Sequence, residues 1–138
     1  MKTTFEIIDL IWQHLNVSSL KTAINGKIYK TLRPLGSNKE DVVINSLPAN
    51  NLQMQSVVIN VNVFVPNITI QVEDGAQDPN QPNYPRLKIL AQTAVDALKD
   101  TWSQDYNFDV QQENLIRDEE SGHHYINIRL DFFNINIL

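Results

Sequence analysis

Two stretches of the chain carry an apolar residue at every second position, and this alternation constrains the fold more than any other feature. Residues 57–65 read Val-Val-Ile-Asn-Val-Asn-Val-Phe-Val, and residues 125–132 read Tyr-Ile-Asn-Ile-Arg-Leu-Asp-Phe. Successive side chains of a β-strand point to opposite faces, so each stretch predicts a strand with one buried face. Because segments with helical periodicity precede and separate these strands, we expect helices to cover one face of a sheet.

Two segments have the periodicity of amphipathic helices. Thr3 and Glu6 form a capping-box pattern at the start of the first segment, which predicts a helix over about residues 4–15. The second predicted helix opens at Tyr84 and Pro85, because a proline at the first helical position loses no hydrogen bond. The expected inner faces consist of Phe5, Ile8, Ile11, Trp12 and Leu15 in the first helix, and of Leu87, Leu90, Ala91, Ala94, Leu98 and Trp102 in the second.

The remaining strands are predicted from shorter alternating runs and from the turn residues between them. Together with the long strand, the predicted strands span residues 27–31, 41–47, 53–65, 105–116 and 125–138. The last two form a closing hairpin whose polar tip is residues 117–124. In the last strand the apolar positions shift from even to odd numbers at Phe132 and Phe133. This shift predicts either a bulge or a C-terminal end whose side chains contribute to a second surface.

The order of elements is a helix, two short strands, a long strand, a second helix and a long hairpin. No crossover helix separates the last two strands, so we expect the sheet to be largely antiparallel. The predicted class is α+β: a mainly antiparallel sheet of about four to five strands, with two principal helices packed on one face. With 138 residues and no segment typical of a linker, the chain predicts a single domain over residues 1–138.

Residues 66–85 interrupt this pattern as an extended loop or arm. The segment carries four prolines and three acidic residues, and only residues 68–72 alternate as a brief strand would. We expect the part from Asp74 to Tyr84 to be a loop. A loop this long in a compact domain is typically functional or mobile, and two interpretations stay open: a solvated excursion, or an arm that becomes ordered on another molecule.

Composition argues against several classes of function. The chain contains no cysteine, so it forms neither disulfides nor thiolate metal sites. Its net charge of −5 argues against sequence-independent binding of nucleic acid, which depends on clustered Lys and Arg. No apolar run reaches the roughly 20 residues that span a bilayer. An acidic residue, Glu6, lies close to the N-terminus, which is not typical of a signal peptide. We therefore expect neither a membrane segment nor a secretion signal.

The sequence lacks the motifs that are typical of enzymes. It contains no HExxH, no G-x-S-x-G and no glycine-rich phosphate loop, since its four glycines are isolated. His123 and His124 follow three acidic residues at the tip of the closing hairpin, but neighbours on a strand point to opposite faces, which prevents chelation by the pair. His14 falls on the outer side of the first helix. We expect no catalytic residue, no metal and no cofactor.

Asparagine recurs on the polar face of the predicted sheet, although it is a poor strand former. The residues concerned are Asn60, Asn62, Asn127, Asn134 and Asn136. One interpretation is a surface that lies against another subunit, because amides cost less to desolvate than charges do. The other is a solvent-exposed face that simply tolerates asparagine. We favour the interface.

The whole layout resembles the tail-completion or tail-terminator proteins of tailed bacteriophages and prophages, which take part in head–tail joining. The likeness rests on the N-terminal helix, the run of residues 20–29 that ends in Gly-Lys-Ile-Tyr, the loop with Arg33 and Pro34, and the strand that begins at Asp41. The long strand, the second helix and the closing hairpin follow in the same order. The resemblance covers nearly the whole chain through short motifs, while the segment 66–85 is longer than this family leads us to expect.

This resemblance implies a structural role without catalysis or cofactors. Proteins of this kind form a ring of identical subunits, commonly a hexamer, that caps the tail tube and presents a surface to the head. The implied partners are other copies of the chain, the tail tube protein and the head–tail connector protein. The implied locations are the virion tail and, during assembly, the cytoplasm of the bacterial host. We expect no contact with a membrane and no specific binding of nucleic acid.

A ring brings two different surfaces of each subunit into contact and surrounds a channel through which DNA passes. We expect the arm to supply one of these surfaces, because its length and separated apolar residues suit contact with a neighbour. The predicted interface residues are Ile68, Ile70, Val72, Asp74, Asp78 and Tyr84, and the residues predicted to face the lumen are Glu73, Glu119 and Glu120. Acidic side chains in the lumen would keep DNA from adhering.

A second hypothesis is a small-molecule-binding or other interaction domain with a pocket between the second helix and the sheet. Trp12, Trp102, Tyr106 and Phe108 would line that pocket, although aromatic residues at such spacing usually belong to the core. Thermal stabilisation by a member of a metabolite panel would favour this alternative. An enzyme, which is supported only by scattered polar residues, comes third.

Overall fold

The computed structural model describes residues 2–47, 55–99 and 101–134, which form three α-helices, eight strands and one 3-10 turn. The helices are α1 (Thr4–Asn16), α2 (Ser19–Ala23) and α3 (Tyr84–Leu98), and the 3-10 turn is Glu73–Gly75. The strands are β1 (Ile28–Lys30), β2 (Asp41–Ser46), β3 (Gln55–Val65), β4 (Ile68–Gln71), β5 (Gln77–Gln81), β6 (Thr101–Trp102), β7 (Tyr106–Arg117) and β8 (His124–Asn134).

Six of the strands form one sheet in the order β1-β2-β3-β8-β7-β6, and β4 and β5 form a separate two-stranded sheet. All neighbours run antiparallel except β1 and β2, which are parallel. The α+β class and the mainly antiparallel sheet are therefore confirmed. The expected four to five strands were too few, because β5 and the two-residue β6 carry no alternating pattern and owe their strand conformation to pairing.

The core lies between the helices and one face of the six-stranded sheet. α1 packs against β1 and β2, α3 packs against β3, β7 and β8, and α2 packs against α3. The two central strands contribute Val57, Ile59, Val61, Val63, Val65, Ile126, Ile128, Leu130 and Phe132, each at most 4% exposed. Val61 lies opposite Ile128 in the register of β3 and β8. The alternation that predicted both strands thus gives their buried face.

Both predicted helices are present, and Ile8, Ile11 and Leu15 of α1 are buried as expected, but its inner face also includes Ile7 and does not include Phe5. Ile7 is fully buried, whereas Phe5 is 73% exposed. Thr3 caps the helix by accepting a hydrogen bond from the Glu6 amide at 3.2 Å, as the capping pattern predicts. In α3, Asn83 accepts from the Arg86 amide, and the buried residues are Leu87, Leu90, Ala94 and Leu98.

His14 was expected on the outer side of α1, and the structure places it differently. Its Nε2 lies 2.7 Å from the carbonyl oxygen of Ala97 at the end of α3, and its ring meets that of Phe108 edge-on at 5.1 Å. His14 therefore links α1 to α3 and to the sheet.

The irregularity that was predicted at Phe132 lies instead in the neighbouring strand. The pairing of β7 with β8 shifts between Val110 and Gln112, while β8 keeps its even-numbered residues on the core side as far as Asn134, which is 1% exposed. Asn134 therefore does not belong to the polar face that we expected for it. Asn136, the predicted turn after Leu47 and the end of the last strand lie outside the described residues.

Candidate assembly surfaces

Most of the long loop expected at residues 66–85 is a β-hairpin. From here on we use the name arm for residues 68–81, which comprise β4, the 3-10 turn and β5. Ile68 pairs with Gln81, and Gln71 pairs with Gln77. The chain reverses at Asp74 and Gly75, whose φ angles are +70° and +79°, and the Val72 amide donates to the carbonyl of Ala76 at 2.9 Å. The prediction of a loop from Asp74 to Tyr84 was therefore wrong at Gln77–Gln81, which form β5.

The arm is fixed to the body at its base. Asn67 donates from Nδ2 to the Gly122 carbonyl at 2.7 Å, and its Oδ1 lies 2.8 Å from Nδ1 of His124. Both partners belong to the tip of the β7–β8 hairpin. Beyond this base, β4 and β5 contact each other extensively and no other described helix or strand to a similar extent.

The apolar residues of β4 are exposed to solvent. Ile68 and Ile70 are each 37% exposed, and Val72, just past the strand, is 40% exposed. The pairing of β4 with β5 shifts between Ile68 and Ile70, where the extra residue lies in β5. β4 therefore keeps its alternation, so Ile68, Ile70 and Val72 point to one side of the hairpin while Thr69 and Gln71 point to the other. The arm thus has one apolar and one polar side, and in the described chain neither side packs on the core.

The acidic residues predicted for the interface and the lumen fall on two different turns. Glu73 and Asp74 lie in the turn at the end of the arm, while Glu119 and Glu120 lie in the turn between β7 and β8. Asp78 in β5 accepts from the side chain of Gln81 at 2.7 Å and from the Asn80 amide at 2.9 Å. These hydrogen bonds, that from Gln81 first, lower the pKa of Asp78.

Tyr84 is separated from the other predicted interface residues of the arm. It begins α3 and is 67% exposed. It borders a groove of about 450 Å³ between α3 and the sheet, whose other lining residues are Leu87, Lys88, Ala91, Gln92, Val95, Glu113, Leu115 and Ile126. The chain therefore has a groove where the binding-domain hypothesis places a pocket.

The aromatic residues predicted to line that pocket lie elsewhere. Phe108 is 1% exposed and belongs to the core, and Tyr106 stacks on Phe132 at 5.2 Å between ring centroids. Trp12 donates from Nε1 to the Ile28 carbonyl at 3.0 Å, and Trp102 is 73% exposed in β6. Phe108 thus has the core position that was the favoured interpretation of these aromatic residues, and none of the four lines the groove. The inner position expected for Trp102 on the second helix was wrong, because α3 ends at Leu98 and Trp102 lies in β6.

A larger cleft of about 540 Å³ lies on the sheet face that is opposite the helices. Its walls are the loop of residues 31–38, the turn between β7 and β8, and side chains of β2 and β3 such as Val43 and Phe64. Leu35 on that loop is 91% exposed. Asp118 and Glu120 line the opposite wall, so the cleft has an acidic side.

Below this loop, a buried network surrounds Asp41. Arg33 donates from Nε to Asp41 Oδ2 at 2.9 Å, Ser37 donates to the same oxygen at 2.5 Å, and the Lys27 amide donates to Oδ1 at 3.1 Å. The Arg33 guanidinium also lies over the ring of Phe64 at 4.6 Å. This network ties the 31–38 loop to the first residue of β2.

Glu40, the preceding residue, makes a second ion pair on the side of the helices. Arg86 of α3 binds its carboxylate through Nε and Nη2, and the second contact is 2.9 Å long. The hydrogen bond from Arg86 is the main reason why the pKa of Glu40 is lowered. Both pairs were missed from the sequence, where two adjacent acidic residues before an apolar strand were the only available signal.

The histidines at the hairpin tip do not form a metal site with their acidic neighbours. Within the described residues, no cluster of three or more His, Cys, Asp or Glu side chains is arranged to hold a metal ion. His123 lies near Arg33, and its Nδ1 is 3.4 Å from Nη1 of that arginine. Burial first, and then Arg33, lowers the pKa of His123, and burial followed by Arg117 lowers that of His124.

Three of the predicted polar-face asparagines form a ladder across the sheet. Asn127 donates from Nδ2 to Asn62 at 2.7 Å and to Asn60 at 3.1 Å, and Asn60 donates to Asn45 on β2 at 3.1 Å. The amides satisfy one another on this half-buried face, which explains why asparagine is tolerated there.

Comparisons with known proteins identify a shared fold and no family. No family model matches the chain, and no curated protein matches it in sequence. The fold is similar to that of a chain in the solved structure described as "Virion of native gene transfer agent (GTA) particle", with a TM-score of 0.54 and 13% sequence identity. The likeness covers 90% of this chain and 90% of that chain. None of the described helices combines the length and the apolar character that a bilayer-spanning helix needs.

Proposed function

We propose that this chain is a structural protein of a phage or phage-like virion. Within that class, we propose a tail terminator: a subunit of a ring, commonly a hexamer, that caps the tail tube and joins it to the head. The proposal rests on the sequence resemblance, on a fold shared with a chain of a gene transfer agent virion, and on the arm. The role requires no catalytic residue and no cofactor.

The arm is the observation that carries the proposal. A two-stranded hairpin is at best marginally stable by itself in water, since it cannot bury its apolar side. Here that side, formed by Ile68, Ile70 and Val72, is 37–40% exposed, and Asn67 fixes the hairpin to the body at its base. A neighbouring subunit that covers this side would remove apolar area from water and supply the stabilisation that the isolated chain lacks.

A closed ring is the assembly that an arm of this kind favours. The arm and the surface that receives it are different parts of the chain, so contacts run head to tail and close if the rotation between subunits permits. The tail tube protein and the head–tail connector protein would then meet the two faces of the ring. In this arrangement Glu73, Glu119 and Glu120 are proposed to face the lumen, where they repel the phosphates of passing DNA.

The test is the oligomeric state of the purified chain and of arm variants. Sedimentation velocity over a wide concentration range, with negative-stain images of any large species, should reveal a discrete ring. Ile70→Asp should weaken assembly by about tenfold or more, because the interface would then bury an unpaired charge. Deleting part of the arm is less informative, because removing β5 would take away the strand with which β4 pairs.

Gln71→Asp is the matched control, since it adds the same charge to the opposite side of the same strand. It should leave assembly nearly unchanged. Equal losses in both variants would contradict a role for the apolar side. A chain that remains monomeric at all concentrations, and whose melting temperature rises with a small metabolite, would favour the binding-domain alternative in which the groove beside α3 holds the ligand.

A further inference from the structure

The outer edge of β7 is unoccupied along most of its length in the described chain. β6 pairs only with Asn107 and Phe108, and β8 lies along the other side of β7. From residue 111 to 117, β7 is therefore an edge strand within the described residues. Such an edge presents a row of backbone donors and acceptors that can pair with a further strand.

This edge runs beside the groove under α3. The register shift between Val110 and Gln112 changes which residues of β7 face the helices. Before the shift, the even-numbered Tyr106 and Phe108 face the core. After it, the odd-numbered Glu113 and Leu115 line the groove. Leu115 is 47% exposed. A strand added to β7 would place every second side chain into an apolar groove and the intervening ones on the opposite face.

The arm has the pattern that this position requires. The alternation of Ile68, Ile70 and Val72 gives it an apolar side that fits the groove, and Thr69 and Gln71 would face the open side of the sheet. Among the described strands β4 pairs with β5 alone, so its outer edge is available there. The outer edge of β5 is less suitable, because Pro79 lacks a backbone donor.

We propose that β4 of one copy adds to the edge of β7 in the next copy, with its apolar side in the groove between α3 and β7. This inference rests on the proposed ring and identifies the surface that receives the arm. It makes the six-stranded sheet of one subunit continuous with the hairpin of its neighbour. The groove is thus a protein-binding surface that is occupied by a second copy of this chain.

Charge distinguishes this groove from the cleft on the opposite face. Residues 66–83 contain three carboxylates and no basic residue. The cleft presents Asp118 and Glu120, and its Arg33 is already engaged by Asp41. The groove presents one basic residue, Lys88, with one acidic residue, Glu113, and Arg117 at the end of β7 lies 3.8 Å from the Glu119 carboxylate. An acidic arm is therefore repelled less by the groove than by the cleft.

The absence of cysteine makes a direct test possible, because two introduced thiols would be the only ones present. Ile68→Cys, Ile70→Cys and Val72→Cys variants are each mixed with the Leu115→Cys variant under mild oxidation. Facing residues of adjacent strands come within reach of a disulfide. We expect at least one of these mixtures to yield a crosslinked dimer of the two variants. Thr69→Cys and Gln71→Cys are the controls and should not crosslink, because they lie on the other side of β4.

A second experiment tests the head-to-tail arrangement. Ile70→Asp disables the arm and keeps the groove, whereas Leu115→Asp disables the groove and keeps the arm. Each variant alone should be monomeric, and an equal mixture should give one-to-one dimers and nothing larger, because only one functional interface can form. Circular dichroism and melting temperature verify that each variant is folded.

The possible outcomes separate this inference from the proposed function. Rings that form without any crosslink from the apolar side of β4 to Leu115 would overturn the groove as the acceptor and leave the proposed ring standing. Equal crosslinking from Thr69→Cys would also overturn it. A chain that is monomeric at every concentration would contradict both the acceptor surface and self-assembly into a ring.

Discussion

The guanidinium of Arg33 and the carboxylate of Asp41 form an ion pair that is almost completely removed from solvent. Their side chains are 8% and 1% exposed, and Nε lies 2.9 Å from Oδ2. The desolvated carboxylate is stabilised only because Ser37 and the Lys27 amide complete its hydrogen bonds. The pair holds the loop that forms one wall of the open cleft.

Removing one partner of this pair should be strongly destabilising. Arg33→Met leaves the Asp41 carboxylate buried without its counterion, and we expect the free energy of unfolding to fall by about 3–5 kcal/mol. Urea denaturation measures the change. Asp9→Asn is the control, because the Lys30–Asp9 pair is about half exposed and should be worth less than about 1 kcal/mol. Similar losses in the two variants would show that the buried pair contributes no more to the free energy of unfolding than the exposed pair does.

Gly26 is required by the close approach of the chain to β2. A Cβ at this position would lie 2.1 Å from Asp41 Oδ1 and 2.3 Å from the Glu40 carbonyl oxygen. The neighbouring backbone cannot move without disturbing the Asp41 network, so Gly26→Ala should cost about 3 kcal/mol in urea denaturation.

Gly36→Ala is the matched control for Gly26→Ala. Gly36 has a φ of +77° and no atom within 4 Å of the added Cβ, so only backbone strain of about 1 kcal/mol is expected. If Gly36→Ala were the more costly of the two changes, steric contact at Gly26 would not be the reason for that glycine.

Mild acid should destabilise the fold through the two histidines at the β7–β8 tip. Burial lowers the pKa of both His123 and His124 below the ordinary value of 6.5. The unfolded chain therefore binds protons first as the pH falls through about 6.5, and stability that is present above this pH is lost toward the lower folded pKa. The melting temperature should decline between pH 7.5 and 5.5.

The variant His123→Gln, His124→Gln tests the origin of this decline, which should become much smaller in it. Glu40 does not contribute to the same interval, because its pKa is lowered from 4.5 and its stabilising effect is lost only at more acidic pH. An unchanged decline in the double variant would assign the effect to other groups.

The central strands could be predicted from the sequence because apolar and polar residues alternate along them. The odd-numbered apolar residues of β3 and the even-numbered ones of β8 have no other periodicity, and burial against α1 and α3 follows from it. β5 could not be predicted in the same way. Its sequence is polar and contains Pro79, so it is a strand only because β4 lies beside it.

The buried ion pairs and the position of His14 were also beyond local reasoning. Arg33 and Asp41 are eight residues apart across a loop whose course the sequence does not specify. His14 is held by Ala97, which is 83 residues away, so its helical phase alone gave the wrong environment. Length and composition were enough to propose interface residues in the arm, whereas the proposed acceptor groove depends on the register shift in β7, which the sequence does not reveal.

Hydrogen exchange should separate the arm from the body and report on assembly. In the monomer, the amides of β4 and β5 should exchange much faster than those of β3 and β8, because the hairpin lies outside the core and its apolar side stays partly exposed. In the assembled state, the arm and the edge of β7 should become protected together, since each would supply hydrogen-bond partners to the other. The Ile70→Asp variant is the control and should keep fast exchange in both places at the same concentration. Slow exchange of the arm in a proven monomer would mean that the hairpin is stable without a neighbour, and protection of the arm without protection of β7 would assign the arm to a different surface.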